Sequence, residues 1–458
     1  MPENPAPLSP YARRWPIALL ALAAFGALLW WQPLPPTITK GSAILVFVAI
    51  LWLTEAIPIT ITALLVPVLA TLLGVFDMKG ALVEFANPIL YLFLGGFTLA
   101  AALHAQGLDA HLARRIMALA GGRLWLATLL LFAVCAALSM WISNTATAAM
   151  MLPLAIGMTH DLDPERDRPT LVFVLLGVAY SASIGGIGSV VGSPPNAIAA
   201  AQMNLSFLDW MKFGLPVTLI LLPCAIALLF ITLRPRLNHR FETRSQPFQW
   251  HQKRLLTLAI FGATVSAWVF SVPLARALGG ISQFDTLVAL MAIIAVAVSG
   301  VASWREIDRS TDWGVLLLFG GGLTLSAILQ KTGTSAYFAE HMAAWLTDAP
   351  LFVVLLLLAA FVVFLTELTS NTATAALLIP LFAAVAAPLG VPPVVMAVLI
   401  AVGASCAFML PVATPPNAIV FATGHVQQRE MMRAGVVLNV CFAVLLALLA
   451  YFVGDILH

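Results

Sequence analysis

Apolar runs close to the length of a membrane span recur from one end of the chain to the other, separated by short polar breaks. Clear examples are Trp15–Trp31, Ile44–Leu73, Leu124–Trp141, Leu215–Leu233, Leu255–Val272, Thr286–Ala302, Leu351–Leu365, Val394–Leu410 and Val436–Val453. About 20 apolar residues coiled as a helix cross the roughly 30 Å hydrocarbon core of a bilayer. No stretch shows the alternation of a strand, and backbone groups in lipid have to be satisfied within their own segment, which favours helix. The pattern predicts an all-α polytopic membrane protein of about 11 transmembrane helices plus two re-entrant hairpins.

Some of the polar breaks occur twice. Residues 143–149 and 370–376 both read Ser-Asn-Thr-Ala-Thr-Ala-Ala. Each is followed by a second shared phrase, Gly192-Ser193-Pro194-Pro195-Asn196-Ala197-Ile198 and Ala413-Thr414-Pro415-Pro416-Asn417-Ala418-Ile419. A glycine-rich patch precedes each set, Leu94–Leu99 and Gly320–Leu325. The shifts between copies are 226 for the glycine patch, 227 for Ser-Asn-Thr and 221 for Pro-Pro-Asn. The chain therefore reads as two related halves, with further helices near residues 15–75, 211–305 and 432–454 outside the repeated motifs. If the basic loop Arg234–Arg254 is cytoplasmic and an odd number of crossings separates equivalent points, the halves are inverted, a topology common among secondary transporters.

Composition agrees with this class. Of 458 residues, 61% are hydrophobic and 9% charged, against roughly 25% charged in soluble domains. The net charge of +2 says nothing about partners, but its distribution does. Arg234, Arg236, Arg240, Arg244, Lys253 and Arg254 face a single acid, Glu242, which places this loop and the N-terminus in the cytoplasm by the positive-inside rule. Arg13 and Arg14 precede the first apolar run, and no small-residue cleavage pattern clearly follows it, so it reads as a retained first span. Cys135, Cys224, Cys406 and Cys441 lie in apolar stretches without CxxC spacing and read as free thiols. The chain lacks a GxxxxGK[ST] loop, an HExxH pair, a TVGYG filter and an arginine-rich stripe. These absences argue against an ATP-driven pump, an intramembrane zinc protease and voltage-gated or potassium channels.

Ser and Asn are strong N-caps, and the Ala-Thr-Ala-Ala after them favours helix. A helix starting at the membrane midplane turns free N–H groups and its positive dipole end toward the protein interior, which suits an anion. The hydroxyl and amide oxygens of the same residues, with unwound carbonyls before them, suit a hard cation such as Na⁺. Interhelical hydrogen bonding alone explains one such tripeptide; two copies in matched halves point to a site at Ser143, Asn144 and Thr145 together with Ser370, Asn371 and Thr372. Two successive prolines remove two donors and push the preceding residue out of helical geometry. That makes corners of Gly192, Ser193 and Pro194, and of Ala413, Thr414 and Pro415. Basic residues are nearly absent from these motifs, so charge balance for an anion falls to hydroxyls, amides, helix ends and co-bound cations. Glu367 (Met140 in the first half) and Glu55 lie in apolar runs and are functional candidates as intramembrane acids, although pairing with backbone or hydroxyl groups is the simpler reading. His104, His111, His160 and His341 flank charged loops and read as solvated.

The paired Ser-Asn-Thr and Pro-Pro-Asn motifs, with Leu53-Thr54-Glu55-Ala56-Ile57-Pro58 and Leu410–Ile419, resemble the divalent anion/sodium symporter family over residues 50 to 420. Its members carry di- and tricarboxylates or sulfate. The resemblance implies a homodimer in the lipid bilayer, with static scaffold helices and a moving transport domain in an elevator mechanism. Divided that way, residues 1–85 are N-terminal scaffold helices, 86–205 the first transport repeat with its tip at 143–145, and 206–312 scaffold helices with the basic loop 234–254. Residues 313–430 form the second transport repeat with its tip at 370–372, and 431–458 the C-terminal helix. It implies one Na⁺ site at Ser139, Ser143, Asn144 and Gly192 and another at Thr366, Thr369, Asn371 and Ala413. The substrate carboxylates would meet Asn144, Thr145, Ser193, Asn371, Thr372, Thr414 and Pro415. Ser193 departs from the threonine more usual in the family.

The expected protein is a Na⁺-coupled importer of C4-dicarboxylates such as succinate, malate and fumarate, multi-pass in a bacterial inner membrane. It is not an enzyme, takes no organic cofactor and has no nucleic-acid partner. A dicarboxylate exchanger, a sulfate or citrate carrier, and an anion channel are the alternatives.

Overall fold

The computed structural model describes residues 14–163, 165–240, 249–346 and 349–457. Arg13, Glu242 and Arg244 of the charge pattern lie outside the described residues. Among the described residues every regular element is a helix, and the one β contact is an isolated bridge between Arg123 and Arg240. Seven helices are long and apolar enough to cross a membrane: Pro36–Thr54, Met78–Ala105, Arg168–Gly188, Phe207–Leu233, Trp313–Lys331, Asn371–Leu389 and Gln428–Gly454. An eighth arises if Gln252–Val269 and Ser271–Ala277, bent by 84°, form one span.

That is fewer uninterrupted spans than the apolar runs predict, and the difference lies in where the runs break. The run Ile44–Leu73 is divided at Glu55–Pro58 into helices Pro36–Thr54 and Ile59–Leu72. Glu55 takes a left-handed conformation there, with φ 47°, and Pro58 forbids continuation of the helix before it. The run Leu124–Trp141 stops as a helix at Ser139, and Val394–Leu410 stops at Ala404. Among the described residues six apolar helices are 10–17 residues long, Ile59–Leu72, Leu124–Ser139 and Pro393–Ala404 among them.

The repeat seen in the sequence recurs in the packing. A Cβ on Gly95 would lie 2.7 Å from that of Ala289, and one on Gly321 2.6 Å from that of Ala63. Gly95 and Gly321 differ by 226 in number, and so do Ala63 and Ala289. Glycine lets Pro88–Ala105 approach Phe284–Ser299, and Trp313–Lys331 approach Ile59–Leu72, in the same way. The helices Ile59–Leu72 and Phe284–Ser299 carry none of the repeated phrases, yet they pair at the repeat's own shift.

The two halves interlock. Helix Pro194–Gln202 packs on Asn371–Ala386 and Pro393–Ala404 of the second half. Helix Pro415–Ala422 packs on Asn144–Thr159 and Arg168–Gly185 of the first. Arg168 Nε and Nη2 donate to Glu430 at 2.7 and 3.0 Å, tying the first half to the C-terminal helix.

Breaking a helix inside an apolar chain frees carbonyls that need donors. The asparagine of each Pro-Pro-Asn supplies them. Asn196 Nδ2 donates to Gly186 O at 2.8 Å, Ile187 O at 3.3 Å and Ser189 O at 2.7 Å. Asn417 Nδ2 donates to Ala407 O and Leu410 O, both at 3.1 Å. Each side chain folds the preceding unwound segment back on its own helix, and both asparagines are fully buried. A buried indole helps: Trp210 donates to Ile187 O at 2.9 Å.

Removing either clamp leaves buried carbonyls unpaired, at about 1–3 kcal/mol per group. Asn196→Ala should therefore lower the thermal unfolding midpoint of the purified protein, and by more than Asn417→Ala, which loses fewer bonds. Unchanged midpoints in differential scanning fluorimetry contradict the clamp role.

Candidate functional site

The four helices that follow the repeated phrases all begin on one cavity of about 950 Å³. Ser143 caps helix Asn144–Thr159 by accepting from Ala146 N, and Ser370 caps Asn371–Ala386 by accepting from Ala373 N. The amides of the first turn have no intrahelical partner, so those of Asn144, Thr145, Asn371 and Thr372 are donors available to a ligand. Helices Pro194–Gln202 and Pro415–Ala422 start with two prolines. Their dipoles add positive potential at the cavity, but their first turns offer few N–H groups.

The structure brings the sequence-predicted residues together. Ser143, Asn144, Thr145, Gly192, Ser193 and Pro194 line the cavity from the first half. Thr369, Ser370, Asn371, Thr372, Ala413, Thr414 and Pro415 line it from the second. Ser139 and Thr366 lie behind the lining, fully buried. Exposure differs between equivalent residues: Thr145 is exposed and Thr372 buried, while Pro194 is half-buried and Pro415 exposed.

Behind the two tips the same oxygens meet. Ser139 Oγ lies 2.6 Å from Asn144 Oδ1 and 2.7 Å from Ala182 O. Thr366 Oγ1 lies 2.6 Å from Asn371 Oδ1 and 2.9 Å from Ala404 O. A hydroxyl, an amide and the last carbonyl or carbonyls of a broken helix therefore gather twice, at corresponding positions. Hydroxyl, amide and carbonyl oxygens suit a hard, weakly charged cation such as Na⁺. Thr369 differs: its hydroxyl contacts Thr374 Oγ1 at 2.8 Å and donates to Leu365 O at 2.9 Å. Its counterpart Ile142 has no hydroxyl at all.

Glu367 is a fastener. Oε1 accepts from Phe408 N at 2.7 Å, Met409 N at 2.8 Å and Asn439 Nδ2 at 2.7 Å, and Oε2 accepts from Leu410 N at 3.0 Å. It holds the unwound segment after Pro393–Ala404 against the C-terminal helix. Gly435 of that helix abuts the Phe408 carbonyl, where a Cβ would lie 2.2 Å away. The first half has no such acid; Met140 packs against Gly188, and Ser189 Oγ donates to Met140 O.

Two cations in the lining escape the motif reading. Arg14 Nη1 donates to Thr54 O at 3.1 Å and Glu55 O at 3.2 Å, carbonyls left free where Pro36–Thr54 ends. Arg309 belongs to the short helix Trp304–Ser310, whose start is fixed by a capping box between Ser303 and Glu306. The Ser303 backbone N–H and then its hydroxyl hold the Glu306 carboxyl below its usual range. Arg14 enters the sequence reading only as a charge before the first apolar run, and nothing in the local sequence marks either arginine for the cavity. Glu55 and Asp312 also line the cavity.

Of the remaining sequence candidates, Cys135 and Cys406 are buried free thiols, and Cys224 and Cys441 are half-buried. His104 and His160 are mostly exposed. His111 is half-buried with its ring against Trp250, where burial and then Arg115 lower its pKa.

A family model described as "Citrate transporter" matches residues 49–403. An uncharacterized transporter of Haemophilus influenzae is 51% identical, covering 95% of this chain and 96% of its own. The sodium-dependent dicarboxylate transporter SdcS of Staphylococcus saprophyticus is 31% identical, covering 90% of this chain and 85% of its own. Two solved transporters share the fold at low identity. The YdaH transporter of Alcanivorax borkumensis has a TM-score of 0.57 at 17% identity, over 82% of this chain and 87% of that one. MtrF of Neisseria gonorrhoeae has a TM-score of 0.56 at 15% identity, over 93% and 96%.

Replacing Glu367 by Gln turns an amide N–H₂ toward backbone donors, leaving at least one unpaired at a cost of about 1–3 kcal/mol. A fastener predicts a lower thermal midpoint in Glu367→Gln with and without substrate or Na⁺. A normal midpoint with weakened ligand binding would assign Glu367 to the ligand instead.

Proposed function

The chain belongs to the citrate transporter family, related to the divalent anion/sodium symporters that its motifs resemble, and on that premise we propose that it imports C4-dicarboxylates together with Na⁺. The observation that carries this reading is the meeting of both Ser-Asn-Thr helix starts and both Pro-Pro-Asn corners on one cavity. A dianion placed there receives free first-turn amides from two helices and their positive ends. Na⁺ binds behind it at Ser139, Ser143, Asn144 and Gly192, and at Thr366, Thr369, Asn371 and Ala413. Substrate contacts come from Ser143, Asn144, Thr145, Ser193 and Pro194, and from Ser370, Asn371, Thr372, Thr414 and Pro415. The asparagines stand between the two ligands, since an amide offers an oxygen to a cation and N–H groups to a carboxylate. The relatives named as sodium-dependent dicarboxylate transporters support the choice of ions.

The interlocked packing supports the transport repeats 86–205 and 313–430 acting as one moving body, against scaffold helices in 1–85 and 206–312. In this reading the halves are inverted, the short apolar helices complete the spans and hairpins, the N-terminus is cytoplasmic in a bacterial inner membrane, and two copies form the working dimer. Citrate is the second reading, favoured by Arg14 and Arg309 in the lining, which add fixed positive charge for a third carboxylate.

Proteoliposomes test the proposal. Counterflow with succinate, malate, citrate and sulfate, in Na⁺ and in choline, should show uptake of C4-dicarboxylates that needs Na⁺. Asn144→Ala and Asn371→Ala each remove an oxygen and a donor, costing about 1–3 kcal/mol per group left unpaired, or tenfold to a hundredfold in affinity. Each should abolish transport while the protein stays folded. Wild-type rates and KM in both variants would make the tips structural and end the site assignment.

A further inference from the structure

The first turns of the C-terminal helix Gln428–Gly454 carry two cations that the fold does not use. Arg429 and Arg433 stand four residues apart, on one face of the helix, and both are exposed. Among the described residues neither has an acid or a hydrogen-bond partner. The acid beside them, Glu430, is already engaged: its carboxylate accepts from Arg168 and, at 2.8 Å, from Gln427 N. Like charges at this spacing repel, and a positive side chain at the N-terminal end of a helix opposes the helix dipole. An anion beside the pair relieves both costs.

The two arginines stand on an open groove of about 610 Å³, whose remaining lining is Met409, Gln428, Met432 and Val436. Gly435 lets the helix lie against the unwound segment that supplies Met409; a Cβ there would lie 2.5 Å from Met409 Cα. Apolar side chains continue the groove along the helix. Met432, Val436, Val440 and Val444 recur every four residues and are exposed. At 1.5 Å per residue, Arg433 to Val444 covers about 16 Å, roughly half the hydrocarbon core and so the depth of one leaflet. A soluble anion accounts for the arginines but not for the apolar stripe that leads away from them.

The charged end of the groove lies at the same end of the molecule as the basic loop. Arg168 holds Glu430, and Thr170, two residues on, accepts from Arg236 N at 2.8 Å and donates to Arg236 O at 3.2 Å. Basic groups at the end that carries the excess of Lys and Arg meet the anionic headgroups of the cytoplasmic leaflet. We infer that this groove binds an anionic phospholipid, its phosphate between Arg429 and Arg433 and an acyl chain along Met432, Val436 and Val440. The lipid covers Met409, whose backbone N–H is held by Glu367. The same segment runs on into Val412, Ala413 and Thr414 of the large cavity. The lipid therefore braces from outside the segment that Glu367 fastens from within.

The full-length protein, delipidated in detergent, tests this. Dioleoyl phosphatidylglycerol should raise the thermal midpoint and stay bound in native mass spectrometry. Dioleoyl phosphatidylcholine, with the same chains and no net charge, should do neither at the same concentration. Arg429→Gln combined with Arg433→Gln should weaken the phosphatidylglycerol response about tenfold to thirtyfold, the effect of two cations near an anionic surface. Its midpoint without lipid should match wild type; if it falls, Arg433→Gln alone is measured in its place, with a smaller loss expected. Arg429→Lys with Arg433→Lys keeps the charge and should recover most of the response. Arg114→Gln with Arg115→Gln removes the same charge elsewhere and should leave the response intact. Equal responses to the two lipids, or equal losses from the two Gln pairs, would overturn the inference. So would full stabilisation by glycerol 3-phosphate, which has the phosphate without the chains and would make the occupant a soluble anion.

Discussion

Backbone groups freed by a broken helix have to find partners, and in a chain that is 61% hydrophobic water supplies few of them. Much of the interior follows from that constraint. Asn196 and Asn417 collect the carbonyls of the unwound segments, and Glu367 collects their amides. Trp210 takes the Ile187 carbonyl. What these partners leave free at the cavity are the first-turn amides after Ser143 and Ser370. The proposed anion site thus sits where the helix starts leave their first-turn amides free. The two asparagines of each half differ in place, Asn196 and Asn417 clamping the fold and Asn144 and Asn371 lining the cavity.

The halves share a plan and differ in chemistry. The first is glycine-lined, with Gly186 and Gly192 around Asn144 and Met140 packed against the unwound segment. The second has Ala407 and Ala413 at those positions, Glu367 in place of Met140 and Thr369 in place of Ile142. A carboxylate with four donors fixes the second segment. The first is held by close backbone packing at its glycines instead. The surroundings of the two tips are therefore unequal, with a carboxylate bracing the unwound segment in the second half and none in the first.

Much of this was legible in the sequence for a physical reason. N-caps and proline pairs act on their immediate neighbours, so the helix starts at Asn144, Asn371, Pro194 and Pro415 could be read from a few letters. Repetition then said that the breaks belonged together. The number of uninterrupted spans was not legible, because hydropathy does not register a stop such as that at Ser139 or Ala404 within an apolar run. Nor were the contacts made across sequence distance. Glu367 reaches amides 41 to 43 residues away, Arg14 reaches carbonyls 40 and 41 away, and Ala182 offers only a backbone oxygen, which every residue has. Pro-Pro-Asn was read as one motif, yet its proline corner faces the cavity while its asparagine faces the fold.

The central claim is that anion and cation share this one site, each making the other's binding favourable. Calorimetric titration of the purified protein with succinate, in Na⁺ and in choline at equal ionic strength, tests it most directly. The account predicts that affinity falls steeply as Na⁺ is withdrawn, because Arg14 and Arg309 are matched in the lining by the acids Glu55 and Asp312 and the repeated motifs carry no basic side chain. Equal succinate affinity in the two salts would contradict it.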